Sequence, residues 1–158
     1  MADFVFNIAK GRVVEYYNRA ENNDPTNSAI IVIAFNSTAT DATLKDLDDI
    51  AAIEADVNTA EATNSGYARK VLESVQLATL PAPDDSGDKY DVDLPDQTWS
   101  SVQTAPGAWT DLCIAYDSDT TGGTDANIIP LTWHDFAVTP DGSDITAQFA
   151  AAGFFSAT

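Results

Sequence analysis

The residues best suited to chemistry lie in one Asp- and Gly-rich loop, DSDTTGGTDAN, which runs from position 117 to position 127. Its first six positions imitate a calcium-binding loop, with oxygen-bearing side chains at alternate positions and a glycine at the sixth. The candidate ligands are Asp117, Asp119, Thr121 and Asp125. The twelfth position, where such a loop needs a bidentate glutamate, is Ile128. Asp and Gly are also common in long hairpin loops, so a plain connection is favoured and a calcium site is the weaker alternative.

His134 is the only histidine, and it stands between Trp133 and Asp135. A general base needs a nucleophile within hydrogen-bond reach, and no GxSxG or SxxK motif supplies one. The phosphate-binding patterns GxxxxGK and GxGxxG are also missing from the sequence. We therefore expect no enzyme activity and no cofactor, and we expect His134 to anchor the end of a β-strand through hydrogen bonds.

The single cysteine and the three tryptophans divide between core and surface. Cys113, Trp99 and Trp133 lie in apolar, β-rich stretches and are predicted to be buried. Trp109 follows Pro and Gly in the loop sequence PGAWTD, and is the best candidate for an exposed aromatic contact.

The most unusual property of the sequence is its net charge. Seven Lys and Arg stand against 25 Asp and Glu, a formal net charge of -18, which argues against binding to nucleic acid or to anionic membranes. The segment 90–158 has ten Asp and no Glu, Lys or Arg, whereas residues 1–20 carry a slight excess of positive charge. Segment 1–25 is therefore a candidate for docking on a partner. Because aromatic and arginine side chains dominate interface energetics, the candidate contact residues are Lys10, Arg12, Tyr16, Tyr17, Arg19 and Trp109.

Periodicity predicts few elements in the first half of the chain. Apolar residues at spacings of three and four favour a helix over 7–20, although Gly11 weakens it and 13–17 also suits an edge strand. The apolar stretch 28–35 is typical of a strand buried on both faces. Alternation predicts strands over 67–72 and 90–94, and Thr40 or Asp41 can cap a short helix over 42–55.

The second half is predicted to be β throughout. The predicted strands are 98–102, 112–116, 128–133, 136–138, 145–149 and 154–156. Such short strands at regular spacing are typical of a sandwich or barrel. The fold class is thus mainly β, a single antiparallel sandwich or barrel-like domain over 1–158 with one or two short helices in its N-terminal third. The longest apolar run has seven residues, from Ala29 to Phe35, and spanning a bilayer takes roughly 20. No membrane helix and no secretory signal are expected.

Several stretches together resemble small virion structural proteins of tailed bacteriophages. They are GYARKVL (66–72), DKYDVDLPDQTWS (88–100), the long run 112–148 and AAGFF (151–155), with KGRVVEYYNR (10–19) and ATLKDLDDIAA (42–52) upstream. The resemblance thus covers nearly the whole chain. Its motifs build the fold and carry no catalytic residues, so it implies a non-enzymatic capsid or tail component.

Three functions stay open, of which the resemblance implies the two in a virion and the third is of a different class. The first is a capsid decoration or minor capsid protein, assembled into the virion in the host cytoplasm, which binds the outside of the head and stabilises it. Its partners would be the major capsid protein and copies of itself, in a symmetric oligomer such as a trimer. The alternatives are a minor tail protein and a glycan- or calcium-dependent adhesion module.

Overall fold

The computed structural model describes residues 3–150 and 153–157, and an antiparallel sheet of six strands forms its centre. The strands of these residues are, in chain order, β1 (Phe4–Val5), β2 (Ala29–Ser37), β3 (Thr59–Glu61), β4 (Lys70–Leu72), β5 (Tyr90–Val92), β6 (Gln97–Trp99), β7 (Trp109–Asp117), β8 (Ile129–Val138), β9 (Ile145–Ala147) and β10 (Phe155–Ala157). In the central sheet the order is β1, β8, β7, β2, and both β3 and β4 pair with the remaining edge of β2. Two small antiparallel sheets, β5 with β10 and β6 with β9, complete the strand pairing.

Strand β2 occupies the middle of the sheet because its sequence is apolar on both faces. Each residue from Ala29 to Phe35 is buried, and these residues pair in register with β7, from Asp117 back to Asp111. The prediction of a doubly buried strand over 28–35 is confirmed, with the strand continuing to Ser37.

The mainly β, antiparallel fold class is also confirmed, and Cys113, Trp99 and Trp133 are buried as predicted. One difference is that the predicted strands 128–133 and 136–138 form the single strand β8. His134 and Asp135 do not interrupt this strand, because they pair with Leu112 and Asp111 of β7.

The N-terminal segment is part of the core. Helix α1 (Val13–Glu21) buries one face against β2 and β7, and a 3-10 turn (Asn7–Ala9) precedes it. The predicted helix over 7–20 is therefore wrong in its first half. Gly11 has a φ of 77°, a left-handed conformation that a continuous helix does not tolerate.

The helix predicted over 42–55 is two helices, α2 (Asp41–Leu44) and α3 (Ile50–Ala55). Thr40 caps the first, as predicted, by accepting the Thr43 N–H. Asp49 caps the second: its backbone is extended and its Oδ1 accepts the Ala52 N–H at 2.7 Å. An N-cap residue is not helical itself, so Asp49 separates the two helices. The described residues thus contain three short α-helices, where one or two were expected, and none has the length and apolar character needed to cross a membrane.

The strand predicted over 67–72 is shorter in the structure, where β4 covers only Lys70–Leu72. The residues just before β4 make side-chain contacts instead of pairing as a strand. The Tyr67 hydroxyl contacts the Ala34 N–H at 3.1 Å and the Glu61 carboxylate at 2.9 Å, which ties this segment to β2 and β3. Arg69 enters a cluster of carboxylates described below.

Candidate functional site

Three exposed cations, Lys10 and Arg12 just before α1 and Arg19 within it, form what we call the basic helix face. Arg12 and Arg19 each bind the single carboxylate of Glu15 at 3.0 Å, and the Arg12 guanidinium lies 4.6 Å from the centre of the Tyr16 ring. The Lys10 Nζ donates to the Asn7 side chain at 2.6 Å. With two guanidinium groups sharing one carboxylate, this face keeps a local positive excess on an otherwise acidic protein.

The two tyrosines expected beside these cations are buried, so their predicted exposure is wrong. Tyr16 is 4% exposed and stacks on Tyr116 with ring centres 4.9 Å apart. Tyr17 is 1% exposed, and its hydroxyl donates to the Ala78 carbonyl at 2.8 Å. Burial raises the pKa of Tyr17 to about 12. Both rings lie on the apolar face of α1, at the spacing that also indicated the helix.

Trp109 is likewise buried, at 1% exposure, so the expectation of an exposed contact aromatic is wrong. Its indole Nε1 donates to the Asn64 Oδ1 at 2.8 Å, and Asn64 donates in turn to the carbonyls of Gln103 and Gly107. The PGAW turn therefore leads directly into the first residue of β7, and Trp109 holds that turn in place from inside.

The Asp-rich loop is organised by its own turns. The Asp117 Oδ1 accepts the Asp119 N–H at 2.9 Å, and the Asp119 Oδ1 accepts both the N–H and the hydroxyl of Thr121. The Thr121 hydrogen bonds lower the pKa of Asp119. The fourth candidate ligand, Asp125, binds Arg69. Within residues 3–150 and 153–157, no group of three or more His, Cys, Asp or Glu side chains is arranged to hold a metal ion.

Arg69 is the centre of the densest polar cluster, which we call the Arg69 cluster. Its guanidinium binds Asp125 at 2.5 Å, Glu61 at 2.6 Å and Glu54 at 2.7 Å. These carboxylates come from the 3-10 turn Asp125–Asn127, from β3 and from α3, so one side chain joins the neighbouring segments α3 and β3 to a turn much later in the sequence. Sequence reasoning missed it, because no local motif relates an arginine to carboxylates 8, 15 and 56 positions away.

The Arg69 cluster holds three carboxylates against one cation, and the pKa values of two of them, Glu54 and Asp125, are shifted in opposite directions. The pKa of Glu54 is raised to about 7, first because burial disfavours its charged form and then because it shares a hydrogen bond with Glu61. The hydrogen bond from Arg69 lowers the pKa of Asp125. Near neutral pH, Glu54 therefore shifts between a neutral and a charged form.

His134 lies within β8, where it hydrogen bonds on both sides of its ring. Its Nδ1 lies 3.1 Å from the Asp3 Oδ2, and its Nε2 lies 2.8 Å from the Thr132 Oγ1. An Asp-His-Thr series also occurs in hydrolytic sites, but Thr132 is only 2% exposed. The other Asp3 oxygen accepts the Asp135 N–H at 2.9 Å. These bonds fasten the chain before β1 to the edge of β8, an anchoring role like the one expected for His134.

Beside this anchor is a cleft of about 240 Å³, which we call the C-terminal cleft. It lies between β8 and the segment that follows β9. The described residues that line it are Asp3, Leu112, His134, Asp135, Phe136, Ala147, Gln148, Phe149, Ala150, Gly153 and Phe154. Three phenylalanines and two carboxylates thus meet in one concave surface, a combination that sequence reasoning did not identify.

Comparisons of the chain with protein-family models, with curated proteins and with solved structures find no match.

Proposed function

We propose that the chain is a non-enzymatic structural protein of a tailed-bacteriophage virion, of the capsid-decoration type, which binds the outside of the head. The observation that carries this proposal is that the most conspicuous polar clusters of the described residues have structural roles. Arg69 and His134, the residues that most resemble reactive centres, hold chain segments together. The surface available to a partner is therefore the acidic exterior of the β domain. A net charge of -18 suits a position away from packaged DNA, because DNA phosphates repel an acidic protein.

The resemblance to small virion proteins supports the same proposal, and the structure gives its motifs physical roles. The aromatic-Ala-Arg motif places Tyr67 and Arg69 among the carboxylates of the Arg69 cluster. In the terminal Gly-Phe-Phe motif, Gly153 allows close approach to Val92, and Phe155 begins β10.

In this proposal the basic helix face contacts an acidic patch of the major capsid protein or of a neighbouring copy. Arg12 and Arg19 supply the charge, and the buried face of α1 fixes them to the body. Deleting the first 20 residues would remove part of the core, so the contact is better tested by neutralisation. We expect Arg12→Gln with Arg19→Gln to weaken binding to undecorated heads, while Lys70→Gln with Lys89→Gln, an equal change in charge, leaves it unchanged. Equal binding by both double variants, each melting like the parent, would refute the role of this face.

The position in the virion is tested by counting copies. Quantitative mass spectrometry of particles of the phage that encodes this chain, with and without tails, gives the ratio of this chain to the major capsid protein. Hundreds of copies retained by tailless heads are expected for a decoration protein. A few copies that leave with the tail would indicate a minor tail protein instead, and absence from particles would refute a virion role.

A further inference from the structure

We propose that the Arg69 cluster is a pH-sensitive switch, which controls how tightly the loop 118–128 between β7 and β8 is held against α3. The contact is tighter while Glu54 is protonated, and the loop opens more often once Glu54 carries a charge. The switch is a property of the domain itself, so it does not rest on the proposed virion role.

The geometry of the carboxylates makes the cluster sensitive to a single proton. Glu54 and Glu61 both bind the same nitrogen of Arg69, Nη2, at 2.7 and 2.6 Å, so the two carboxylates are close neighbours. Asp125 binds the other terminal nitrogen, Nη1, at 2.5 Å. All four side chains are partly buried, which reduces screening by water. Protonation of Glu54 therefore removes one of three negative charges that share one positive charge.

The groups that face Glu54 come from the elements in closest contact with α3. Strand β3 supplies Glu61, whose carboxylate also accepts the Tyr67 hydroxyl at 2.9 Å, and the 3-10 turn supplies Asp125. Arg69 is charged at all relevant pH values, and the pKa of Asp125 is lowered by its hydrogen bond to Arg69. Burial and these neighbours raise the pKa of Glu54 to about 7, so its charge changes near neutral pH.

The loop 118–128 depends on this cluster because its other attachments are few. Among the described residues, two backbone hydrogen bonds join the loop to other segments: Thr120 donates to the Asn27 carbonyl at 3.0 Å, and Ile50 donates to the Ile128 carbonyl at 3.1 Å. The second bond connects the first residue of α3 to the residue after the 3-10 turn. Both isoleucines are buried, so opening of the loop breaks this bond and uncovers apolar surface.

The direction of the pH effect follows from linkage. In the open loop Glu54 loses its neighbours and its pKa returns toward the ordinary value of 4.5, whereas the closed form has a pKa of about 7. The closed form therefore holds the proton more tightly. Its advantage is complete below about pH 4.5 and is lost as the pH rises to about 7.

The test is hydrogen exchange of the purified chain, followed by NMR. Exchange rates divided by the intrinsic rates at each pH give protection factors, which report opening alone. The Ile50 amide reports the loop, because it donates to Ile128, and the Ile33 amide in the middle of β2 reports unfolding of the whole domain. We expect the protection factor of Ile50 to be at least about fivefold lower at about pH 8 than at about pH 5.5, and to lie below that of Ile33 at both.

Dilute urea separates local opening from global unfolding, since a local opening exposes little surface. The Ile33 amide should lose protection as urea is added, whereas the Ile50 amide should keep its protection. Equal protection factors and equal urea dependence for the two amides would mean that the loop opens only with the whole domain, and would overturn the proposal.

Variants assign the effect to the cluster. Glu54→Gln keeps the size of the side chain but cannot become charged, so the Ile50 protection factor should be nearly the same at both pH values. Glu61→Gln removes the neighbouring charge and should also reduce the pH dependence, which gives a second test should the first variant fold poorly. Glu73→Gln, at an exposed position outside the cluster, is the matched control and should behave like the parent. An unchanged pH dependence in Glu54→Gln or Glu61→Gln, or its loss in Glu73→Gln, would contradict the switch.

Discussion

Gly153 lies directly against the backbone of Val92, so that a Cβ atom at position 153 would overlap the Val92 carbonyl oxygen. The glycine also has a φ of 75°, in the left-handed region that other residues rarely adopt. The next residue, Phe154, donates its N–H to the same carbonyl. Glycine is therefore required at the point where the chain turns toward β10 and the C-terminal cleft.

We expect Gly153→Ala to lower the free energy of unfolding by roughly 2–4 kcal/mol, because both the backbone conformation and the contact become unfavourable. Gly107→Ala is the matched control, since a Cβ there meets no atom within 4 Å. The control should stay within about 0.5 kcal/mol of the parent in urea denaturation. Equal stability of both variants would show that the approach of Gly153 to Val92 does not constrain the fold.

Local patterns were sufficient to predict the elements that depend on neighbouring residues. The apolar run at β2 and the alternation at β5 predict strands because burial on two faces or on one leaves a direct pattern in sequence. The sequence predicts a cap at Thr40 or Asp41 for the same reason, since the hydrogen bond of Thr40 is made three residues away. The buried Cys113 was also predicted from its apolar neighbours.

Contacts between distant segments could not be predicted in this way. The Pro-Gly loop favours an exposed Trp109, but the side chain is buried, donates to Asn64, 45 positions earlier, and packs on the rings of Tyr67 and Trp99. Tyr16 and Tyr17 fit either an interface or a core, and only the packing of α1 on the sheet decides between them. The C-terminal cleft joins residues from both ends of the chain, and no spacing rule relates Asp3 to Phe149.

The Arg69 cluster predicts a requirement for arginine rather than for positive charge alone. In Arg69→Lys, one ammonium replaces a planar fork that binds three carboxylates, so we expect a loss of about 2–3 kcal/mol. Arg12→Lys, at an exposed pair with Glu15, is the control and should melt close to the parent. Thermal unfolding at neutral pH gives the melting temperatures of both variants. Similar changes in melting temperature would contradict the role of Arg69 in holding the three segments together.

Glu54 predicts a specific dependence of stability on pH. Its pKa is about 7 in the folded protein against 4.5 for the ordinary group, so the folded state holds this proton more tightly than the unfolded state. The resulting stabilisation is complete below about pH 4.5 and is lost as the pH rises to about 7. Carboxylates with lowered pKa values, such as Asp125, act in the opposite sense at lower pH.

The contribution of Glu54 is isolated by Glu54→Gln, which imitates the protonated form. We expect the variant to match the parent near pH 5 and to exceed its stability at pH 8, measured as the free energy of unfolding in urea. Glu73→Gln, at an exposed position, is the control for removal of one negative charge. A parallel pH dependence for the parent and Glu54→Gln would rule out this titration.

The hydrogen bonds of the Asp-rich loop predict that calcium does not change the stability of the protein. Asp125 binds Arg69, while Asp117 and Asp119 accept hydrogen bonds within the loop. We therefore expect the same melting temperature in millimolar calcium and in chelator. A rise in melting temperature with calcium that Asp119→Asn removes would restore the calcium-dependent alternative, because a ligand that binds only the folded state stabilises it.

The hydrogen bond between Asn64 and Trp109 predicts energetic coupling between two buried residues. Asn64→Ala leaves the Trp109 Nε1 and the carbonyls of Gln103 and Gly107 without this partner, and we expect a loss of about 3 kcal/mol. In a Trp109→Phe background the indole donor is already gone, so the same substitution should cost about 1–2 kcal/mol less. Urea denaturation of the parent, both single variants and the double variant measures this difference. Strictly additive losses would mean that the hydrogen bond between Asn64 and Trp109 contributes nothing to stability beyond the separate contributions of the two side chains.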